Sequence, residues 1–97
     1  MPKAYWITVY RAVNDPDKLA AYAKLAPAAT AKFGAKYLAR GTAQAAYEHG
    51  QKERVVITEF ASLAQAIAAH DSPGYQEAVR VLGDGAIRDV RMIEALE

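Results

Sequence analysis

The run Tyr5-Trp6-Ile7-Thr8-Val9-Tyr10 decides the fold. Its aromatic and β-branched residues make it a strand. Side chains alternate across a strand, which puts Tyr5, Ile7 and Val9 on one face and Trp6 and Tyr10 on the other. A strand with one wet face alternates apolar with polar, but this one is apolar on both sides. Each face of its sheet must therefore be covered.

The next residues supply one cover. In Asn14-Asp15-Pro16-Asp17, Asp15 is placed to cap a helix, Pro16 to occupy its first position and Asp17 to meet its dipole. Leu19, Tyr22, Leu25 or Ala26, Ala29 and Phe33 then recur at spacings of three and four, giving one apolar stripe. Pro27 removes a backbone donor and crowds the carbonyl of Ala23, which predicts a kink or two short helices in sequence. Gly34 ends the helix.

Lys36 to Arg40 reads as a second strand, with Gly41-Thr42 as a bulge or break before Ala43 to Glu48 continues it. His49-Gly50-Gln51-Lys52 supplies a turn, and Arg54-Val55-Val56-Ile57-Thr58-Glu59-Phe60 is the strongest strand in the chain. Ser62-Leu63-Ala64-Gln65 is a capping box for a helix running to about His70. Ser72-Pro73 repeats the signal, and Tyr75, Ala78, Val79 and Leu82 form another stripe that Gly83 closes. Arg88 to Leu96 is the last strand.

Strand, helix, strand, strand, broken helix, strand is a βαββαβ order. Right-handed crossovers turn it into an α+β, ferredoxin-like antiparallel sheet with helices on one face. The other face stays bare, and a second copy packed sheet to sheet is the economical cover. The expected assembly is a homodimer through sheet faces.

Composition agrees with one small domain, residues 1–97, with 53% hydrophobic and 24% charged residues. Much of the apolar content is alanine, which buries little area, and a thin core gains from a partner subunit. Net charge is +1 and the cations are dispersed, so nucleic acid is not an expected partner. There are no cysteines, which excludes a disulfide framework, a thiolate zinc site and a cysteine nucleophile. Met1-Pro2-Lys3-Ala4-Tyr5 enters a strand without a signal-like apolar core, and no apolar run approaches the roughly 20 residues of a membrane span. A cytoplasmic protein without membrane contact is the expectation.

Four segments carry a resemblance to a known family: Lys36-Tyr37-Leu38-Ala39-Arg40-Gly41, Val56-Ile57-Thr58-Glu59-Phe60, Asp71-Ser72-Pro73-Gly74-Tyr75-Gln76 and Leu82-Gly83-Asp84-Gly85-Ala86. Together the chain resembles the bacterial domain-of-unknown-function family thirteen-thirty, of the dimeric α/β-barrel superfamily, over essentially its full length. The resemblance implies a dimer whose four-stranded sheets face each other, with a cleft between sheet and helices in each subunit. Relatives in that superfamily include cofactor-free monooxygenases, isomerases, haem-degrading enzymes and ligand binders, an analogy at the level of fold. The chain departs from the family at Ala35 and Ala95, where glycines are common.

Five residues are candidates for a ligand-binding cleft: Tyr22, Arg40, Glu59, His70 and Tyr75. Arg40 and Glu59 lie on strands expected to pair, and a bulge near Gly41 would let them meet. They would then be a pocket arginine with an orienting or basic carboxylate, or a cross-strand structural pair. His70 continues the apolar stripe of Leu63, Ala66 and Ile67, which makes it either an acid or base in the cleft or a helix-end histidine. His49 belongs to the turn and is solvated, and its distance in sequence from His70 matches no local metal-ligand spacing, so no metal or cofactor is expected. Ser72 is first a cap, while Tyr22 and Tyr75 offer either hydroxyls to a ligand or packing to the core. Three functions stay open. They are a binder of a small, partly apolar molecule, a cofactor-independent monooxygenase or isomerase using Arg40, Glu59 or His70, and a structural or regulatory dimer without ligand.

Overall fold

A computed structural model describes residues 2–96. Along the chain run β1 (Ala4–Val13), α1 (Pro16–Ala31), β2 (Lys36–Thr42), β3 (Arg54–Phe60), α2 (Leu63–Asp71), α3 (Pro73–Leu82) and β4 (Ala86–Glu94). The strands lie in the order β2-β3-β1-β4, and each neighbouring pair is antiparallel. This is the expected ferredoxin-like α+β fold. No helix among the described residues is long and apolar enough to cross a membrane.

The caps form as their residue types dictate. Asp15 Oδ1 accepts from the amides of Asp17 and Lys18, with Pro16 in the first turn of α1. Ser62 Oγ accepts from the Gln65 amide and opens α2. Ser72 serves two helices at once. Its hydroxyl donates to the carbonyl of Ala69 at the end of α2 and accepts from the Tyr75 amide at the start of α3.

Helices cover the face formed by even-numbered residues of β1 and β3. Trp6 and Phe60 join Ala26, Ala29, Ala66, Ala69, Tyr75 and Ala78 in one buried cluster. Small side chains set the layer spacing: a Cβ added at Gly74 would lie 3.2 Å from that of Ala29, so this glycine lets α3 approach α1 closely. Bulk comes from the aromatic residues. Trp6 stacks on Phe60 at 6.1 Å between ring centroids and meets Tyr75 edge-on at 4.9 Å.

Three expectations about the chain path are corrected. Pro27 does not divide α1, which runs through it as one helix. The carbonyl left without an amide partner belongs to Ala23, an exposed residue whose backbone water can reach. Ala43 to Glu48 does not continue β2. The last backbone bond there is from the Ala43 amide to Glu53, and β3 begins at Arg54, so the chain beyond has no strand to pair with. The bulge lies at Tyr37/Ala39, with Leu38 as the surplus residue, rather than at Gly41. A second irregularity, at Tyr10/Ala12, leaves Arg11 surplus on β1.

The opposite face of the sheet carries Tyr5, Ile7 and Val9 beside Val55, Ile57, Ile87 and Ile93. No helix covers it, and Ile87 and Ile93 are 52% and 59% exposed. The doubly apolar first strand is thus half satisfied within one chain.

Candidate ligand-binding site

Between the helix face of the sheet and α1 lies a cavity of about 50 Å³. One water needs roughly 10–15 Å³, so the enclosed space holds about three to five waters, and a ring would also have to occupy the open mouth beside the exposed Ala23 and Arg40. Thr8 and Tyr10 of β1, Val56 and Thr58 of β3 and the α1 residues Leu19, Ala26 and Pro27 form much of the wall. Trp6 and Tyr75 close one end, while Arg40, Arg54 and Arg88 enter from β2, β3 and β4.

Three of the five candidate residues come together here: Tyr22, Arg40 and Tyr75. Arg40 owes its position to the β2 bulge. Tyr37 pairs with Thr58 on the helix face, and a regular ladder would have turned Arg40, three residues on, to the other side. The surplus Leu38 restores the phase, so Arg40 lies opposite Val56 and its guanidinium covers the Tyr37 ring at 4.5 Å. Tyr22 projects from α1, and its hydroxyl lies 2.7 Å from that of Tyr75, either one donating. Arg88 Nη1 donates to Tyr22 Oη at 3.0 Å. Burial raises the Tyr22 phenol above its ordinary pKa, and the neighbouring Tyr75 adds to this while Arg88 opposes it. The phenol is neutral and serves as a hydrogen-bonding post.

Glu59 and His70 lie elsewhere. Glu59 stands on the open face, opposite Tyr5 and Lys36, and pairs with Lys3 Nζ at 3.2 Å. The expected meeting of Arg40 with Glu59 does not occur, because odd and even positions of β3 point to opposite sides of the sheet. His70 sits behind the end wall, its ring 5.5 Å from Trp6 and 5.3 Å from Tyr75, and its Nδ1 lies 3.0 Å from Asp71 Oδ1. It borders a shallow surface depression with Ile67, Asp71, Val90 and Met92. His49 is exposed in the turn.

The reading of the sequence missed Arg54 and Arg88 as site residues and left Trp6 open between facing a ligand and packing in the core. A signal for Arg54 was present: Arg54, Val56, Thr58 and Phe60 alternate onto one face, so a strand whose far end is core carries an arginine inward. Two of these residues hold buried donors without a partner among the described residues, Trp6 Nε1 and Arg54 Nε. The cleft thus presents hydrogen-bond donors and aromatic faces. Among the described residues its lining contains no carboxylate and no imidazole.

A protein of unknown function from Rhodopseudomonas palustris superposes with a TM-score of 0.77 at 17% identity, covering 99% of this chain and 84% of that one. A dimeric ferredoxin-like protein of unknown function from a Jannaschia species gives 0.76 at 13% identity, covering 96% and 99%. SnoaB, a cofactor-independent oxygenase from Streptomyces nogalater, gives 0.66 at 11% identity, covering 100% and 96%. At these identities the likeness is one of fold. No curated protein matches. The family described as "Domain of unknown function (DUF1330)" matches residues 3–96, and the chain belongs to that family.

Proposed function

We propose that this protein binds a small, partly apolar molecule in the cleft between its sheet and α1, as a homodimer joined through the open sheet faces. One observation carries the binding reading. Trp6, 4% exposed, lines an aromatic cavity, and its Nε1 donor is buried without a partner among the described residues. A buried donor without an acceptor costs about 1–3 kcal/mol, and a ligand oxygen would offset that cost. The dimer is supported by the apolar open face and by dimeric structural neighbours.

Cofactor-independent oxygenation or isomerisation on this fold is the second reading, with the oxygenase neighbour as its support. Both chemistries begin by taking a proton from the substrate. Glu59 and His70, the expected bases, stand outside the cleft, and Tyr22 holds its proton more firmly than a free phenol. The geometry therefore favours binding over proton abstraction. A structural dimer without ligand would leave the unpartnered donors without a purpose.

Blocking the mouth tests the proposal. Ala23 lines the cleft from an exposed position on α1, so Ala23→Trp fills the entrance without disturbing the core. In a thermal-shift screen of metabolites, stabilisers of the wild type are expected, and they should fail on Ala23→Trp. If no compound stabilises the wild type, or if the variant responds equally, the cleft is not a binding site.

A further inference from the structure

The chain has six arginines, which divide into two sets of three. Those outside the cleft have carboxylate partners: Arg11 and Arg91 meet Asp89, and Arg80 meets Glu77. Those in the cleft, Arg40, Arg54 and Arg88, have none among the described residues.

Register brings the second set together. Tyr10 pairs with Arg88 on β4, and the β1–β3 ladder running to Val9 and Val55 sets Arg54 beside Tyr10 on its other flank. The two guanidinium carbons lie 5.9 Å and 5.7 Å from the Tyr10 ring centroid. Arg40, opposite Val56, belongs to the same face one step along. All four strands thus contribute to one end of the cleft. Like charges gathered in a half-dehydrated space repel. The faces of Tyr37, Tyr10 and Tyr22 offset part of that repulsion, but an aromatic face carries no countercharge.

We infer that the occupant of this cleft is a small organic anion, a carboxylate on a flat apolar body, which supplies the missing countercharge. The inference rests on the binding reading and sharpens it. The guanidinium fork matches a planar carboxylate, and Arg54 Nε has no partner among the described residues. The remaining wall, built from Trp6, Leu19, Ala26, Pro27 and Val56, suits an apolar ring. Inorganic phosphate would leave that wall unused.

Trp6 is the only tryptophan and lines the cleft, so its fluorescence reports occupancy directly. Benzoate and benzamide share a shape and differ in charge. Titrating benzoate is expected to change Trp6 emission saturably and to raise Tm by about 6–10 °C at ten times Kd. Benzamide should bind at least roughly tenfold more weakly, and Arg54→Gln should weaken benzoate about 10- to 100-fold while narrowing the gap to benzamide. Arg40→Gln, at an exposed position, repeats the test should Arg54→Gln fail to fold. Equal binding of benzamide overturns the anion and leaves the cleft a binding site. Phosphate binding as tightly as benzoate overturns the organic body. No saturable response to benzoate overturns the inference. The binding reading then stands or falls separately, on whether the Ala23→Trp screen finds other stabilisers.

Discussion

Tyr22 shows how much one side chain carries. Its hydroxyl accepts from Arg88 and meets Tyr75, linking α1, β4 and α3 above the cleft. Burial raises its pKa in the folded protein, with the neighbouring Tyr75 adding to the effect. In the unfolded chain the phenol ionises near its ordinary value of 10.0, so from that pH upward the unfolded state loses a proton that the folded state keeps. Stability therefore falls as pH rises above about 10, toward the raised folded-state value. Tyr22→Phe is expected to cost about 1–3 kcal/mol at neutral pH, since it removes the acceptor of a charged donor, and to flatten the alkaline decline. Urea unfolding across alkaline pH checks both, and an unchanged slope would mean that another group sets it. At this scale the sequence was only partly legible. Residue types marked Tyr22 and Tyr75, but nothing local says that Glu59 faces away from Arg40. That depends on where a ladder slips by one residue.

Among the elements, caps were the most readable feature, because a cap is a chemical event within four residues. Asp15, Ser62 and Ser72 each bond where their type and spacing predict. Ser72 is the joint of the broken helix, bonding Ala69 behind it and Tyr75 ahead. Replacing it by alanine is expected to cost about 1–2 kcal/mol and to loosen Tyr75, the end wall of the cleft. Chemical denaturation measures the first effect. Weaker benzoate binding relative to an equally destabilised variant elsewhere measures the second. Less legible were elements whose fate depends on a distant partner. Pro27 reads as a break locally, yet packing of Ala26 and Ala29 holds α1 together around it. Ala43 to Glu48 has the makings of an edge strand, but β3 starts too late to pair with it.

For the molecule as a whole, the doubly apolar first strand is the most informative feature, since one chain covers only one of its faces. Tyr5, Ile7 and Val9 still look outward beside Ile57 and Val55. Ile57→Glu would set a charge among them and is expected to convert the proposed homodimer to monomer in sedimentation at micromolar concentration, with lower Tm because folding loses its linkage to association. A wild type that sediments as a monomer would refute the proposed interface. The two surplus residues, Leu38 and Arg11, have a consequence for this family at large. A strand keeps time in twos, and each surplus residue is a skipped beat, after which inward and outward trade places. Positions can therefore be carried from this chain to a relative only by counting from the nearer skipped beat. Across it, an arginine aligned with Arg40 is as apt to belong to the open face of the sheet as to the cleft.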